Sequence, residues 1–370
     1  DRVAAVTNWQ LRRPLLTVFG GAPRPKVLGQ SITADVDQPL GSIVADIDVT
    51  LDANHLWLTG VAPGFAAFDI TEPSAIRRLT HDAIEPFPVY GPMRFAGDRA
   101  YANVDSSDRQ RIGIYDVAAP SLPRRIGALT LDWQHVDHRQ WAVDGTTLWR
   151  LGHSGTGSPV DRLYALDVTD PAAPREAAAI PLSIDPLEPN PYRGLSAADG
   201  TLLLFRQTTG VVEVWDARSP SGAHVVGRLD LHAAIDHVAI ADGVGWAGVY
   251  SDRARIAVLD LSDPAMPSEI ASVPLADPIW GADIRAAGRS ATVANHRGGL
   301  YVIHVPRPGA PPSDATPQLI GRDPGSVPTP HEVLTPPPPA PPTAARPARI
   351  FLPSGTRQAR LSGPSSHIVL

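Results

Sequence analysis

The 370-residue chain has no cysteine and a formal net charge of −6, with a pI near 6.0. That composition excludes disulfides, cysteine-ligated zinc and thiol catalysis, and it leaves no basic footprint of a nucleic-acid binder. No apolar run approaches the roughly 18 residues of a membrane-spanning helix. Lys26 is the sole lysine, a bias that reads, with the abundance of Ala and Pro, as coding composition more than function. The chain begins at Asp1 without methionine or a signal peptide and is expected to be a processed or trimmed form of a longer product.

In chain order, the first recognisable element is Leu-Leu-Thr-Val-Phe-Gly-Gly-Ala-Pro with Val18 at its centre, followed after Pro25 by the short run Lys26-Val27-Leu28-Gly29. From Ile43 to about Ile320 one pattern then repeats: a hairpin, an apolar strand ending in Asp, and a short outer strand, which ends in Gly at Gly127, Gly227 and Gly321. The Asp strands centre on Asp69, Asp116, Asp167, Asp216 and Asp260, and His304 holds the same place in a degenerate last copy. Successive centres from Val18 to His304 lie 44 to 51 residues apart, a mean of about 48, in the period range of propellers and solenoids.

Each unit has a physical logic. Four or five consecutive apolar residues, many aromatic or β-branched, suit a strand covered on both faces. The Asp and the Thr or Ser after it can bond nearby backbone N–H groups, and the proline that follows cannot extend a ladder, so the strand ends in a defined turn. Upstream, Asp144-Gly145, Asp199-Gly200 and Asp242-Gly243 each sit between apolar runs, the strongest short-range hairpin signal. Gly97-Asp98 and Gly288-Arg289 serve in two others. Four short strands in about 48 residues make a propeller blade.

The expected fold is therefore an all-β propeller of four-stranded antiparallel blades over residues 1–325. Seven Asp-type strands argue for seven blades, with six or eight as the alternatives, because only six clear upstream hairpins accompany them. Val3–Val6 and the stretch His331–Leu334 are the expected closing strands. Residues 326–348 read as a proline-rich linker, since Thr335-Pro-Pro-Pro-Pro-Ala-Pro-Pro-Thr343 favours extended polyproline II. Residues 349–370 have too few apolar side chains to fold alone and read as a disordered or sorting segment.

Laid out this way, the repeat resembles the LVIVD-repeat family, whose units read apolar-apolar-Val-Val-Asp-Val-Ser-Asp-Pro-x-x-Pro followed by an apolar-Gly strand. Leu163–Pro174 and Ile256–Pro267 match it almost position by position, and the resemblance covers roughly residues 15 to 321. It implies a β-propeller, often on secreted or surface-attached bacterial and archaeal proteins, and it carries no established catalytic residues. The tail Ile350-Phe351-Leu352-Pro353 is similar to the C-terminal Ile-Tyr-Leu-Pro signature on exported proteins of some filamentous phototrophic bacteria. Both resemblances imply an extracellular or cell-surface location.

In such a blade the loops between second and third strands, and from each outer strand to the next inner strand, share one face, where propeller ligands usually bind. Residues that recur from blade to blade are expected to be structural. The five central aspartates belong there, as do the pairs Asp108-Arg109, Asp161-Arg162 and Asp252-Arg253. Residues that break the repeat are the functional candidates. Counting back seven from Gly145, Gly200 and Gly243 reaches His138, Arg193 and Asp236; His237 follows directly, and the neighbouring loops add His135, Asp137, Asp105, His153, Tyr250 and His296.

Trp280, ahead of an inner strand, is the one tryptophan assigned to a ligand site; Trp57, Trp149, Trp215 and Trp246 read as packing between blades. Imidazoles and carboxylates together could hold a divalent metal, with His138, His237, His296 and Asp236 as ligands, or act as acid and base. Apart from that metal no cofactor is expected. Gly152-His-Ser-Gly-Thr-Gly157 lacks the lysine of a P-loop and the spacing of a serine elbow, so it reads as a loop.

The sequence thus points to a non-catalytic binding or scaffold propeller of an exported protein, a monomer with a protein or glycan ligand. The alternative is a metal-dependent hydrolase or lactonase working at the channel mouth through His138, His153, Asp236, His237 and His296.

Overall fold

A computed structural model describes residues 2–7, 15–20, 26–32, 48–52, 54–59, 64–80, 89–105, 110–130, 140–152, 160–183, 192–250, 254–275, 283–295, 299–305 and 318–323. The chain divides into two units, Asp1–Ser326 and Val327–Leu370, and all described residues lie in the first. The second unit, which holds the expected linker and tail, and the expected closing stretch His331–Leu334 fall outside the described residues.

Among the described residues, apart from short 3₁₀ turns, the regular elements are all strands. The first sheet has three: β1 (Arg2–Thr7), β2 (Leu15–Gly20) and β3 (Lys26–Ile32). Six four-stranded blades follow, each a simple antiparallel meander. Blade 1 is β4 (Asp48–Asp52), β5 (His55–Thr59), β6 (Ala66–Asp69) and β7 (Arg77–Arg78); blade 2 is β8 (Val89–Ala96), β9 (Arg99–Asp105), β10 (Gln110–Asp116) and β11 (Arg124–Thr130). Blade 3 is β12 (Trp141–Asp144), β13 (Thr147–Gly152), β14 (Arg162–Asp167) and β15 (Arg175–Pro181). Blade 4 is β16 (Tyr192–Ala198), β17 (Thr201–Arg206), β18 (Val211–Asp216) and β19 (His224–Asp230). Blade 5 is β20 (Ala234–Ala241), β21 (Val244–Tyr250), β22 (Arg255–Asp260) and β23 (Ser268–Pro274); blade 6 is β24 (Asp283–Ala287), β25 (Ser290–Asn295), β26 (Gly299–His304) and β27 (Gln318–Asp323).

The fold is a β-propeller, with six four-stranded blades where seven were expected. The count of seven rested on Asp-type strands, and β2, with Val18, is the extra one. Among the described residues its sheet has three strands, with β1 alone paired ahead of β2 where a hairpin was expected. β1 pairs with β2 through Arg2↔Gly20 to Thr7↔Leu15, which puts Val3–Val6 in the place of a second strand, and it packs beside the inner strand β4 of blade 1.

Blades hold together through slabs of apolar side chains between them. Each of five hydrophobic clusters joins two consecutive blades: Trp57 with Tyr115 between blades 1 and 2, Tyr101 with Trp141 between 2 and 3, and Trp149 with Trp215 between 3 and 4. Phe205 with Leu259 fills the gap between blades 4 and 5, and Trp246 with Tyr301 that between 5 and 6. Trp57, Tyr101, Trp149 and Trp246 occupy one register, three residues past the hairpin turn, and each faces the following blade. These strands are covered on both sides, so they read as continuous apolar runs and not as alternating ones.

The hairpin turns come in two kinds. Asp199 and Gly200 (φ 52° and 74°) and Asp242 and Gly243 (φ 51° and 68°) have both central residues left-handed, the type I′ arrangement that Asp-Gly favours. In blade 3 the expected Asp144-Gly145 turn shifts by one residue: Asp144 ends β12, paired with Thr147, and the turn is Gly145-Thr146, with only the glycine at positive φ, 57°. The freed Asp144 carboxylate accepts the Gly200 N–H of the next blade at 2.6 Å.

Candidate functional site

The repeating aspartates are consumed by the fold. In Asp69, Asp116, Asp167, Asp216 and Asp260 one oxygen accepts the backbone N–H two residues on, at 2.9–3.2 Å. The other oxygen pairs, in the first three, with the arginine eight residues on: Arg77, Arg124 and Arg175 at 3.2, 3.0 and 2.9 Å. His224 occupies that place after Asp216, which pairs with Arg218 instead. Hydrogen bonds from Thr169 and Arg175 lower the Asp167 carboxyl to about 2, and similar donors lower Asp69, Asp116 and Asp216.

Where the repeat breaks, the described residues place two of the predicted candidates in equivalent positions. The β16–β17 ladder runs Tyr192↔Arg206 and then Gly194↔Phe205, skipping Arg193. In blade 5 the β20–β21 ladder runs Ile235↔Val249 and then His237↔Gly248, skipping Asp236. Arg193 and Asp236 are thus each the extra residue of a β-bulge, a device that re-aims a side chain out of the ladder. Both lie six residues before the hairpin turn, at the same height on adjacent inner strands.

Counting from the turn instead of the glycine changes the blade 3 equivalent. Gly145 is the first turn residue there, so counting six back from the turn reaches residue 139, outside the described residues. His138, His153, His296 and Trp280, with His135 and Asp137, lie outside the described residues. Arg193 is exposed and Asp236 half-buried, whereas His237 is only 7 % exposed. Tyr250 closes β21 opposite Ala234. Among the described residues no group of three His, Asp or Glu side chains is close enough to hold a metal ion.

Behind Arg193 stands a cluster that sequence reasoning missed. Glu213 lies in the middle of β18, 1 % exposed, where the other blades carry Ala66, Gly113, Tyr164, Ala257 and Tyr301. Its Oε2 accepts the Tyr192 hydroxyl at 3.0 Å and the Trp215 indole N–H at 3.3 Å. Its Oε1 pairs with Arg206 at 3.4 Å and Arg228 at 3.3 Å. Arg206 lies over the Tyr192 ring, 5.0 Å from its centroid, and donates to the Tyr192 oxygen at 3.0 Å and the Ser183 carbonyl at 3.2 Å. Burial, aided by the Glu213 charge, pushes the Tyr192 phenol up to about 12. The one sequence signal was Glu213 itself, a charge inside an apolar strand.

At the inner strands' other end, beside the hairpin turns, the surface is hollowed but open. A cavity of about 540 Å³ there is lined by Phe95, Gly97, Asp144, Gly145 and Asp199 among others.

Together these blades define a β-propeller. Solved structures share the fold. The chain is similar to a proposed 6-phosphogluconolactonase from Bacteroides fragilis, with 9 % identity over 86 % of this chain and 92 % of that one, TM-score 0.54. It is similar to the periplasmic gluconolactonase of Pseudomonas aeruginosa, with 13 % identity over 82 % and 92 %, TM-score 0.54. A chain of the mitotic checkpoint complex aligns at 14 % identity over 83 % and 87 %, TM-score 0.56. No family profile matches the sequence, and no curated protein matches it. At these identities the likeness concerns the fold alone.

Proposed function

We propose that this chain is a non-catalytic binding propeller of an exported or cell-surface protein, engaging a ligand where its inner strands begin. One observation carries the reading. The polar residues that recur are spent on turns and ion pairs, while Arg193 and Asp236 are lifted out of the ladder by bulges and differ in chemistry from blade to blade. The likeness of the repeat to the LVIVD family supports the exported location, and a shared fold with a chain of the mitotic checkpoint complex supports a role in recognition. A thermal-shift screen of sugars, sugar acids, amino acids and short peptides tests it. Stabilising ligands should lose their effect in Arg193→Gln and keep it in Arg77→Gln; ligands indifferent to Arg193 would place binding elsewhere.

A second reading is favoured by the shared fold with two proteins described as gluconolactonases. Here His138, His153, Asp236, His237 and His296 would supply ligands or acid–base groups for a divalent metal and a lactone. A metal bound there would polarise the lactone carbonyl. Lactone hydrolysis is measured with the protein loaded with Zn²⁺, Mn²⁺ or Ca²⁺ and again after chelation. Turnover that disappears with the metal and with Asp236→Asn supports the enzyme; no turnover in any loaded form rejects it.

A further inference from the structure

Three inner strands are described as far back as the sixth residue before their turn, and all three leave the ladder there. β8 does so between Tyr90 and Arg94, β16 between Tyr192 and Gly194, and β20 between Ile235 and His237. A break in the ladder at this position is therefore shared, but it is three residues long in blade 2, Gly91 to Met93, and a single residue in blades 4 and 5, Arg193 and Asp236. A repeated mount carrying different chemistry is how a scaffold sets specificity without altering its frame.

The two charged mounts are opposite in sign and lie on adjacent inner strands, and among the described residues the exposed Arg193 takes part in no ion pair. Both mounts are held stiffly. Tyr192, directly before the first bulge, is clamped by Glu213 and Arg206 at 3.0 Å each. Before the second bulge the Ile235 N–H donates to the Gln207 carbonyl at 2.9 Å. Gly210, at φ +75°, lets that loop close in: a Cβ there would stand 2.2 Å from the Ala233 carbonyl oxygen. Such stiffness reduces the ordering cost of binding.

We propose that Arg193 and Asp236 are a specificity-determining pair that reads a small ligand bearing an oxyanion next to a hydrogen-bond donor. This rests on the binding reading above. The guanidinium of Arg193 offers the planar fork that takes a carboxylate in two hydrogen bonds, and the Asp236 carboxylate accepts from an ammonium or a hydroxyl. Two sources supply that chemistry, an α-amino acid zwitterion and a hydroxy acid.

Isothermal titration of the full chain with L-alanine, D-gluconate, acetate and D-glucose separates them. Alanine or gluconate is expected to bind at least tenfold more tightly than acetate and glucose, and whichever binds identifies the donor. Arg193→Gln and Asp236→Asn should each weaken that ligand at least tenfold with Tm unchanged. Acetate binding as tightly as alanine and gluconate, indifference to Asp236→Asn, or no binding of alanine and gluconate overturns the pair. A ligand of another class that still depends on Arg193 in the thermal-shift screen would sink this pair while leaving the binding reading intact; ligands independent of Arg193 would sink both.

Discussion

Asp167 uses its two oxygens for two tasks, one closing the turn onto Thr169 at 2.9 Å and one holding Arg175 at 2.9 Å. Both partners favour the ionised carboxylate, so its folded-state pKa near 2 lies below the unfolded value of about 3.9. The contribution is fully present above about pH 4 and is lost as pH falls through the folded pKa near 2. The same direction holds for Asp69, Asp116 and Asp216, so the losses accumulate over one window. Tm measured by circular dichroism should drop from pH 4 to pH 2, and Asp167→Asn should flatten that slope.

Glu213 shows the opposite balance at the same scale. A charge in the slab between blades 3 and 4 is tolerable only while Arg206, Arg228, Tyr192 and Trp215 surround it. Glu213→Ala, which leaves Arg206 without its buried partner, should cost about 3–5 kcal/mol in urea unfolding. Replacing both ends together, as Glu213→Leu with Arg206→Met, should recover most of the loss. The turn aspartates were legible in the sequence because their partners lie two and eight residues away. Glu213 was not, because its burial depends on blade 3.

Among the elements, the outer strands explain the glycine of the repeat. A Cβ on Gly127 of β11 would stand 1.6 Å from the Pro171 carbonyl oxygen, and one on Gly227 of β19 would stand 2.2 Å from that of Pro264. These two outer strands thus receive the Asp-Pro turn of the following blade on a bare backbone, whereas β15 and β23 carry Ala178 and Ala271 at the same place. Gly127→Ala must push that turn away, an overpacking that should cost about 1–3 kcal/mol; Gly97→Ala, with open space around its Cβ, is a control for backbone strain alone. The outer strands also run longer than expected, β11 and β19 reaching Thr130 and Asp230. A register shift follows the third-strand positions Ile114, Ala165, Val214, Val258 and Val302, one outer-strand residue being skipped just before the Gly or Ala that pairs with each. Those bulges also blunt an edge that would otherwise invite a strand from another molecule.

Across the whole molecule, stability is distributed over slabs between neighbours and is not gathered into one centre. Trp246 is fully buried between blades 5 and 6, and Trp246→Ala should cost about 3–5 kcal/mol. Deleting residues 327–370 is expected to leave Tm unchanged, since the unit Asp1–Ser326 contains the clusters described; earlier unfolding would mean that the tail helps to close the ring.

The sequence alone determined what short-range chemistry controls: the repeat, strands buried on both faces, Asp-capped turns, and Asp-Gly hairpins at Asp199 and Asp242. Each is decided within about ten residues, by backbone freedom, side-chain shape and local hydrogen bonds. Only the tertiary structure decided what depends on neighbouring blades. It reduced seven expected four-stranded blades to six, because a strand motif such as β2 does not reveal whether a full hairpin stands in front of it. It also set the bulges under Arg193 and Asp236, the turn shift at Asp144 and the burial of Glu213, since register and burial are fixed by packing across blades and not by the residues in between.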